Sequence, residues 1–302
     1  MSAPTTYDCN DGVTALSPVR CTDWLGRIFC GDNTEVLSGF PAECVDLVVT
    51  SPPYDDLRTY GGHSWDFFGV AWLLKRVLKP GGVIVWVVND ATKDGSESGT
   101  SMEQVLHFRR LGLLIYDTMV FQKQGMPTDP RLRYLQNWEY MTVISKGKPK
   151  TYNPLKDRRN SSAGRKLNYR VDRVNDELVT IPTADRHTAE FGIRTNIWEY
   201  DCRNMGGLHP AQFPIELATD HIKSWSNPGD IVLDPFAGSG TTLKAAKELD
   251  RHWCGIEINP EYCAIAEARL SQDVLQLETC AMRPNDQAQR PGPLRVTNET
   301  AA

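Results

Sequence analysis

No C-x-x-C pair occurs among the eight cysteines of this 302-residue chain, and no Cys/His cluster has the spacing of a zinc site. Cys9, Cys21, Cys30, Cys44, Cys202, Cys254, Cys263 and Cys280 therefore read as reduced, mostly buried thiols of a cytoplasmic protein, and no metal is expected. No apolar run approaches the length of a membrane span. The polar stretch from Met1 to Arg20 lacks the apolar core of a signal peptide. Without secretion, the Asn298-Glu299-Thr300 sequon carries no meaning. A basic surplus is also missing: 33 Lys and Arg face 38 Asp and Glu, for a net charge of −5. That balance speaks weakly against a nucleic-acid partner, although an average conceals local patches.

What the chain does have is the composition of an ordinary globular protein, 40% hydrophobic and 24% charged. From Gly26 onward, short apolar runs alternate with longer mixed segments. Strands are expected at Arg27–Cys30, Val45–Thr50, Val83–Val88, Leu114–Phe121, Tyr140–Ser145, Ile231–Leu233 and Trp253–Glu257. Helical spacing joins Trp72, Leu73, Arg76, Val77 and Leu78, and Lys79-Pro80-Gly81-Gly82 then stops that helix. Further helices are expected over Phe213–Trp225, Thr242–Leu249 and Tyr262–Leu270. The alternation predicts an α/β fold with a mostly parallel sheet.

The stretch from Lys146 to about Asn204 breaks the rhythm: it is polar and without a clear period. Its first half holds ten Lys and Arg residues against Asp157 and Asp172, with Tyr152 and Tyr169 interleaved. It reads as an insertion on the core.

Two motifs carry chemistry. In the first, Ile231-Val232-Leu233-Asp234 runs into Pro235-Phe236-Ala237-Gly238-Ser239-Gly240 and then a helix. Outside the carboxyl end of such a strand an α/β sheet binds nucleotide-like ligands. Gly238 and Gly240 allow close backbone approach, and Glu257, ending the next strand, suits the two hydroxyls of a ribose. The Gly-Lys-Ser/Thr of a P-loop is absent, as is the third glycine of a dinucleotide fingerprint. No cation in the loop awaits a phosphate, whereas Asp234 suits a cationic amino-acid end. This combination favours S-adenosylmethionine (SAM).

In the second motif, the apolar strand Val45–Thr50 meets Ser51-Pro52-Pro53-Tyr54. Proline cannot continue a central strand, so the chain turns there, stiffened by two fixed φ angles. Ser51 and the Pro52 carbonyl offer acceptors to the N–H bonds of an amine, and Tyr54 offers a flat ring for stacking on a base.

Together the two motifs resemble those of the DNA amino-methyltransferases. Val49-Thr50-Ser51-Pro52-Pro53-Tyr54 is similar to their catalytic motif, and Asp234-Pro235-Phe236-Ala237-Gly238-Ser239-Gly240 to their SAM-binding motif. Their order, catalytic first with the basic segment between, resembles the permuted β group. Gly31-Asp32-Asn33 resembles the motif whose acidic residue contacts the SAM adenine. Lys79-Pro80-Gly81-Gly82 and His209-Pro210-Ala211-Gln212-Phe213-Pro214 resemble further family elements.

The resemblance spans roughly residues 26–270. It implies a Rossmann-like, SAM-dependent methyltransferase fold, circularly permuted, with an inserted target-recognition region. The implied divisions are an N-terminal extension (1–24), a catalytic half (25–145), the target-recognition insertion (146–204), a SAM-binding half (205–274) and a disordered tail (275–302). The implied catalytic residues are Ser51, Pro52, Pro53 and Tyr54. SAM would be held by Asp32, Asp234, Phe236, Gly238, Gly240 and Glu257. DNA would be contacted by Arg158, Arg159, Arg165, Lys166 and Arg170.

The serine version of the motif usually goes with the N4 of cytosine, and Asp or Asn versions with the N6 of adenine. The expected substrate is thus cytosine in double-stranded DNA, flipped out of the helix, with adenine-N6 as the alternative. C5 methylation is excluded, since it needs a cysteine nucleophile and no Pro-Cys pair exists. An RNA or protein methyltransferase and a non-catalytic SAM-binding module are more distant readings. The first would be expected to carry an RNA-binding module, and the second to lack the Ser-Pro-Pro-Tyr turn. A cognate restriction endonuclease is an implied functional partner. Monomer and homodimer both stay open.

Overall fold

A computed structural model describes residues 23–53, 65–124, 134, 136–202 and 213–271 of the chain. The elements run β1 (Arg27–Cys30), α1 (Asn33–Ser38), β2 (Val45–Thr50), α2 (Phe67–Val77), β3 (Leu78–Val88), β4 (Thr92–Lys93), β5 (Ser96–Glu97) and α3 (Thr100–Arg110). They continue with β6 (Leu114–Gln124), β7 (Trp138–Ser145), β8 (Arg158–Arg159), β9 (Lys166–Val174), β10 (Glu177–His187), β11 (Phe191–Gly192) and β12 (Ile197–Asp201). The last elements are α4 (Ile215–Trp225), β13 (Ile231–Asp234), α5 (Thr241–Glu248), β14 (His252–Glu257) and α6 (Pro260–Ser271).

Eight strands form the central sheet in the order β1-β14-β13-β2-β3-β7-β6-β12. All run parallel except β7, which is antiparallel to both of its neighbours. This is the expected α/β architecture with a mostly parallel sheet, and the serine-proline turn precedes the glycine loop in the chain.

Strand alternation sends successive side chains to opposite faces. Ile84, Trp86 and Val88 of β3 pack into one core with Val36 and Leu37 of α1, Val70 and Leu74 of α2, and Phe108 of α3. Val83, Val85 and Val87 pack into a second core with Leu217 and Ile222 of α4 and Ala245 and Ala246 of α5. The core stripe of α2 is Val70, Ala71, Leu73, Leu74 and Val77; Trp72, which shares the helical spacing, stays 55% exposed.

Strand β2 is buried throughout, including Asp46 at its amino end. That carboxylate accepts from Lys79 Nζ at 2.6 Å, from Ile231 N at 3.0 Å and from the Lys150 ammonium. Pro80 falls where the β2–β3 register jumps, from Val45↔Leu78 to Leu47↔Val83, so its missing N–H interrupts no ladder rung.

Within the stretch from 146 to about 204, which shows no period in sequence, the structure places two ordered features. Strands β9 and β10 form an antiparallel ribbon turned by Asn175 (φ 49°) and Asp176 (φ 64°). Two successive left-handed residues are the signature of a two-residue type I′ hairpin. The ribbon is largely exposed, so no alternation of apolar and polar residues marks it in the sequence. Strand β12 follows this stretch into the central sheet and pairs parallel with β6, burying Trp198 and Tyr200.

Candidate active site

Strands β1, β14, β13, β2 and β3 are parallel and adjacent, so their carboxyl ends line one edge. The segments leaving them are Gly31-Asp32, Asn259 onward, Pro235–Gly240, Ser51–Pro53 and Asn89-Asp90.

The glycine loop is shaped by backbone demands. Gly240 has φ 78° and caps the start of α5; a Cβ there would lie 3.0 Å from Ala266 Cβ. Gly238 has φ 50°, and its N–H donates to Glu257 Oε2 at 2.8 Å. Ala237 N donates to Ile256 O at 2.9 Å, which fastens the loop to β14. Phe236 is half-buried and meets Trp65 edge-on at 4.9 Å. Asn33 Nδ2 reaches Pro235 O at 3.4 Å, joining the Gly31-Asp32-Asn33 segment to the loop.

The three candidate carboxylates sit in different surroundings. Asp234 is 2% exposed and accepts from Thr50 Oγ1 at 2.7 Å and from Phe236 N at 3.1 Å. Burial pushes its carboxyl up to about 6, against the hydrogen bonds from Thr50, Phe236 N and Thr242. Asp32 Oδ1 caps α1, accepting from Thr34 N at 2.8 Å and Glu35 N at 3.1 Å. Burial raises its carboxyl, but these bonds and that of the Thr34 hydroxyl outweigh it and hold it below the ordinary range. Glu257 receives Gly238 N through Oε2 and Asn259 N, at 2.9 Å, through Oε1.

The sequence-predicted residues of the donor site therefore come together at one sheet edge. Asp234 and Oδ1 of Asp32 are engaged by the protein, so their part includes shaping the loops. A glycine-lined approach, a flat ring and three carboxylates fit the adenosine and the positive sulfonium and ammonium of SAM. A phosphate would meet like charge and no cation within the loop.

Beside this loop, Ser51 and Pro53 are half-buried and Pro52 is buried at the carboxyl end of β2. Tyr54 and the His209–Gln212 motif lie outside the described residues. Thr50, Thr242 and Asn33 escaped sequence reasoning as bonding partners; Thr242 Oγ1 donates to Val49 O at 3.1 Å. Asp90, buried past the end of β3, is engaged in starting α3, through Ser101 N at 2.8 Å and Ser101 Oγ at 2.5 Å.

The basic segment divides into two kinds of residue. Lys146 pairs with Glu43 and donates to the carbonyls of Lys75 and Leu78, and Lys150 pairs with Asp46, so both hold the core. Arg158 Nε donates to Ile193 O at 3.0 Å. Lys166 and Arg170 make exposed pairs with Asp185 and Asp172 at 3.3 and 3.0 Å. Arg159 and Arg165 are exposed, with no ion pair among the described residues. No three His, Cys, Asp or Glu side chains among the described residues gather as a metal site, and no described helix is long and apolar enough to cross a membrane.

Residues 45–268 match the DNA methylase family of the N6/N4 type. The chain is 46% identical over 245 residues to the orphan methyltransferase M.BamHII of Bacillus amyloliquefaciens, covering 76% of this chain and 90% of that protein. It is 30% identical over 276 residues to the type II methyltransferase M.SmaI of Serratia marcescens, covering 81% and 90%. A Thermus thermophilus protein, TTHA0409, solved with S-adenosyl-L-methionine, matches with a TM-score of 0.55 and 30% identity, over 81% of this chain and 92% of that one. The cytosine-N4-specific PvuII DNA methyltransferase shares the fold, with a TM-score of 0.59 at 22% identity over 82% and 86% of the two chains.

Proposed function

The chain belongs to the N6/N4 DNA methylase family, and within it we propose that its target is the exocyclic N4 of cytosine in double-stranded DNA. SAM is its methyl donor. The observation that supports the cytosine reading is Ser51, rather than Asp or Asn, at the head of a proline-stiffened turn on β2, the strand beside β13 and its glycine loop.

On this reading the target base leaves the helix and stacks on Tyr54. The Ser51 side chain and the Pro52 carbonyl accept from the amine N–H groups and aim the nitrogen lone pair at the methyl group. The N–C bond forms as the S–C bond breaks. The sulfonium becomes a neutral thioether, and the surplus amine proton passes to water. Direct transfer of this kind needs orientation and electrostatics rather than a covalent enzyme intermediate. Asp32, Asp234, Phe236, Gly238, Gly240 and Glu257 form the donor site, and exposed basic residues of the insertion, Arg159 and Arg165 foremost, meet phosphates.

The test is expression in a methylation-free host, followed by mass spectrometry of the digested DNA. N4-methylcytosine is expected. N6-methyladenine as the sole product would overturn the cytosine assignment and leave the family standing. 5-methylcytosine would overturn the direct amine mechanism as well.

A further inference from the structure

Strands β2 and β13 pair only through Leu47↔Val232 and Val48↔Leu233. Beyond those rungs, nothing in the backbone ladder sets the distance between the serine-proline turn and the glycine loop. Side chains do so instead. Thr50, fully buried, donates from Oγ1 to Asp234 Oδ1 at 2.7 Å, and Phe236 N donates to the same oxygen at 3.1 Å. Thr242, at the start of α5, donates from Oγ1 to the Val49 carbonyl at 3.1 Å. Thr50 thus ties the end of β2 to Asp234 and Phe236 of the glycine loop, and Thr242 ties α5 to Val49, where both segments leave the sheet.

We propose that Thr50 is a positioning residue: its hydroxyl holds the Asp234 carboxylate and thereby sets the spacing between the methyl-donor loop and the amine-holding turn. Thr50 is fully buried and acts through Asp234. This inference rests on the assignment of the glycine loop as the SAM site.

The chemistry follows from burial. An ionised carboxylate in a dry site persists only when hydrogen-bonded. The charged group bearing on Asp234 is Glu257 of β14, of like sign, while β2 and α5 present only the hydroxyls of Thr50 and Thr242. Loss of the Thr50 hydroxyl favours the neutral acid. A neutral Asp234 withdraws negative charge from the donor site and loosens the loop, and small misplacements of reacting groups are heavily penalised.

The experiment compares wild type, Thr50→Val and Thr50→Ser. SAM affinity is measured by calorimetry and methyl transfer by single-turnover kinetics, over pH values on both sides of the Asp234 value of about 6. In Thr50→Val, the acid limb of both profiles should move to higher pH by about one unit, the shift expected when one hydrogen bond to an ionised group is lost. The transfer rate should fall more than KM for DNA rises. Thr50→Ser should restore the wild-type limb. If Thr50→Val does not fold, Thr50→Cys, whose thiol is a weak donor, takes its place with the same shift expected. A limb that stays with wild type, or one that serine fails to restore, would reduce Thr50 to packing. A wild type that binds SAM but makes no N4-methylcytosine would sink the cytosine assignment alone, since the affinity profiles still test Thr50.

Discussion

The carboxylate of Glu257 receives the Gly238 N–H at 2.8 Å and the Asn259 N–H at 2.9 Å, so one side chain holds the glycine loop and the turn that starts α6. Glu257→Ala removes both acceptors from the proposed SAM site. A hydrogen bond to a charged group contributes about 1.5–3 kcal/mol, so SAM affinity should fall roughly 10- to 100-fold. Glu257→Gln keeps one oxygen acceptor and should lie between. Titration calorimetry with SAM checks this, and unchanged affinity in Glu257→Ala would remove the residue from the site.

Asp46 predicts the acid behaviour of the fold. Burial raises its carboxyl, but the hydrogen bonds of Lys150, Lys79 and Ile231 N outweigh it, so the folded value lies below the ordinary one. A depressed folded value means stability present above the unfolded pKa and lost as pH falls through the folded one. Asp46→Asn should therefore be less stable at neutral pH, by about 1–3 kcal/mol, and should lose less on acidification than wild type. Urea unfolding at neutral and acidic pH reads both effects. Parallel pH slopes would show that Asp46 has the same pKa folded and unfolded.

Arg194 ties the segment around Asp157 to α4. Its Nε donates to Asp157 at 2.9 and 3.1 Å, its Nη1 donates to Asp220 on α4 at 2.6 Å, and its guanidinium lies 5.0 Å from the Trp198 ring centre. Lysine carries the charge but not the fork. Arg194→Lys should speed amide exchange in residues 156–160 and 191–195 on the order of tenfold or more, while β2, β3 and β13 keep their protection. Equal exchange across both regions in the two proteins would show that the fork is dispensable.

DNA affinity should separate the basic residues by what already engages them. Arg159→Ala with Arg165→Ala removes two exposed cations that form no ion pair among the described residues. Each lost phosphate contact should flatten the plot of log K against log salt by about 0.9. Lys146→Ala should instead lower stability and leave the salt slope alone, because its ammonium bonds Glu43 and the carbonyls of Lys75 and Leu78. Binding measured at several salt concentrations distinguishes them. A slope unmoved by the double arginine variant would place the phosphate contacts elsewhere.

Much of the site could be read from the chain alone, because local physics writes it there. A mostly apolar run from Val45 to Thr50, stopped by two prolines, announces β2 and its turn. An aspartate followed by two glycines announces β13, its loop and the start of α5. Both are statements about where a chain must be buried and where it must bend, and both survive without knowledge of the partner strand. The ribbon of β9 and β10 was hidden for the converse reason. It is exposed on both sides, so it has no period, and its turn residues, Asn175 and Asp176, differ from the asparagine-glycine pair that usually marks such hairpins.

The tertiary structure alone decided which groups answer one another. Thr50 and Asp234 are 184 positions apart and meet only because the sheet places β2 beside β13. Lys146, Lys150 and Arg159 look alike in sequence, yet the first two bind carboxylates, exposed Glu43 and buried Asp46, and the third forms no ion pair among the described residues. Residue type reports whether a side chain can bond. Strand order, which is set by the packing of two separate cores on opposite faces of one sheet, determines what it bonds to.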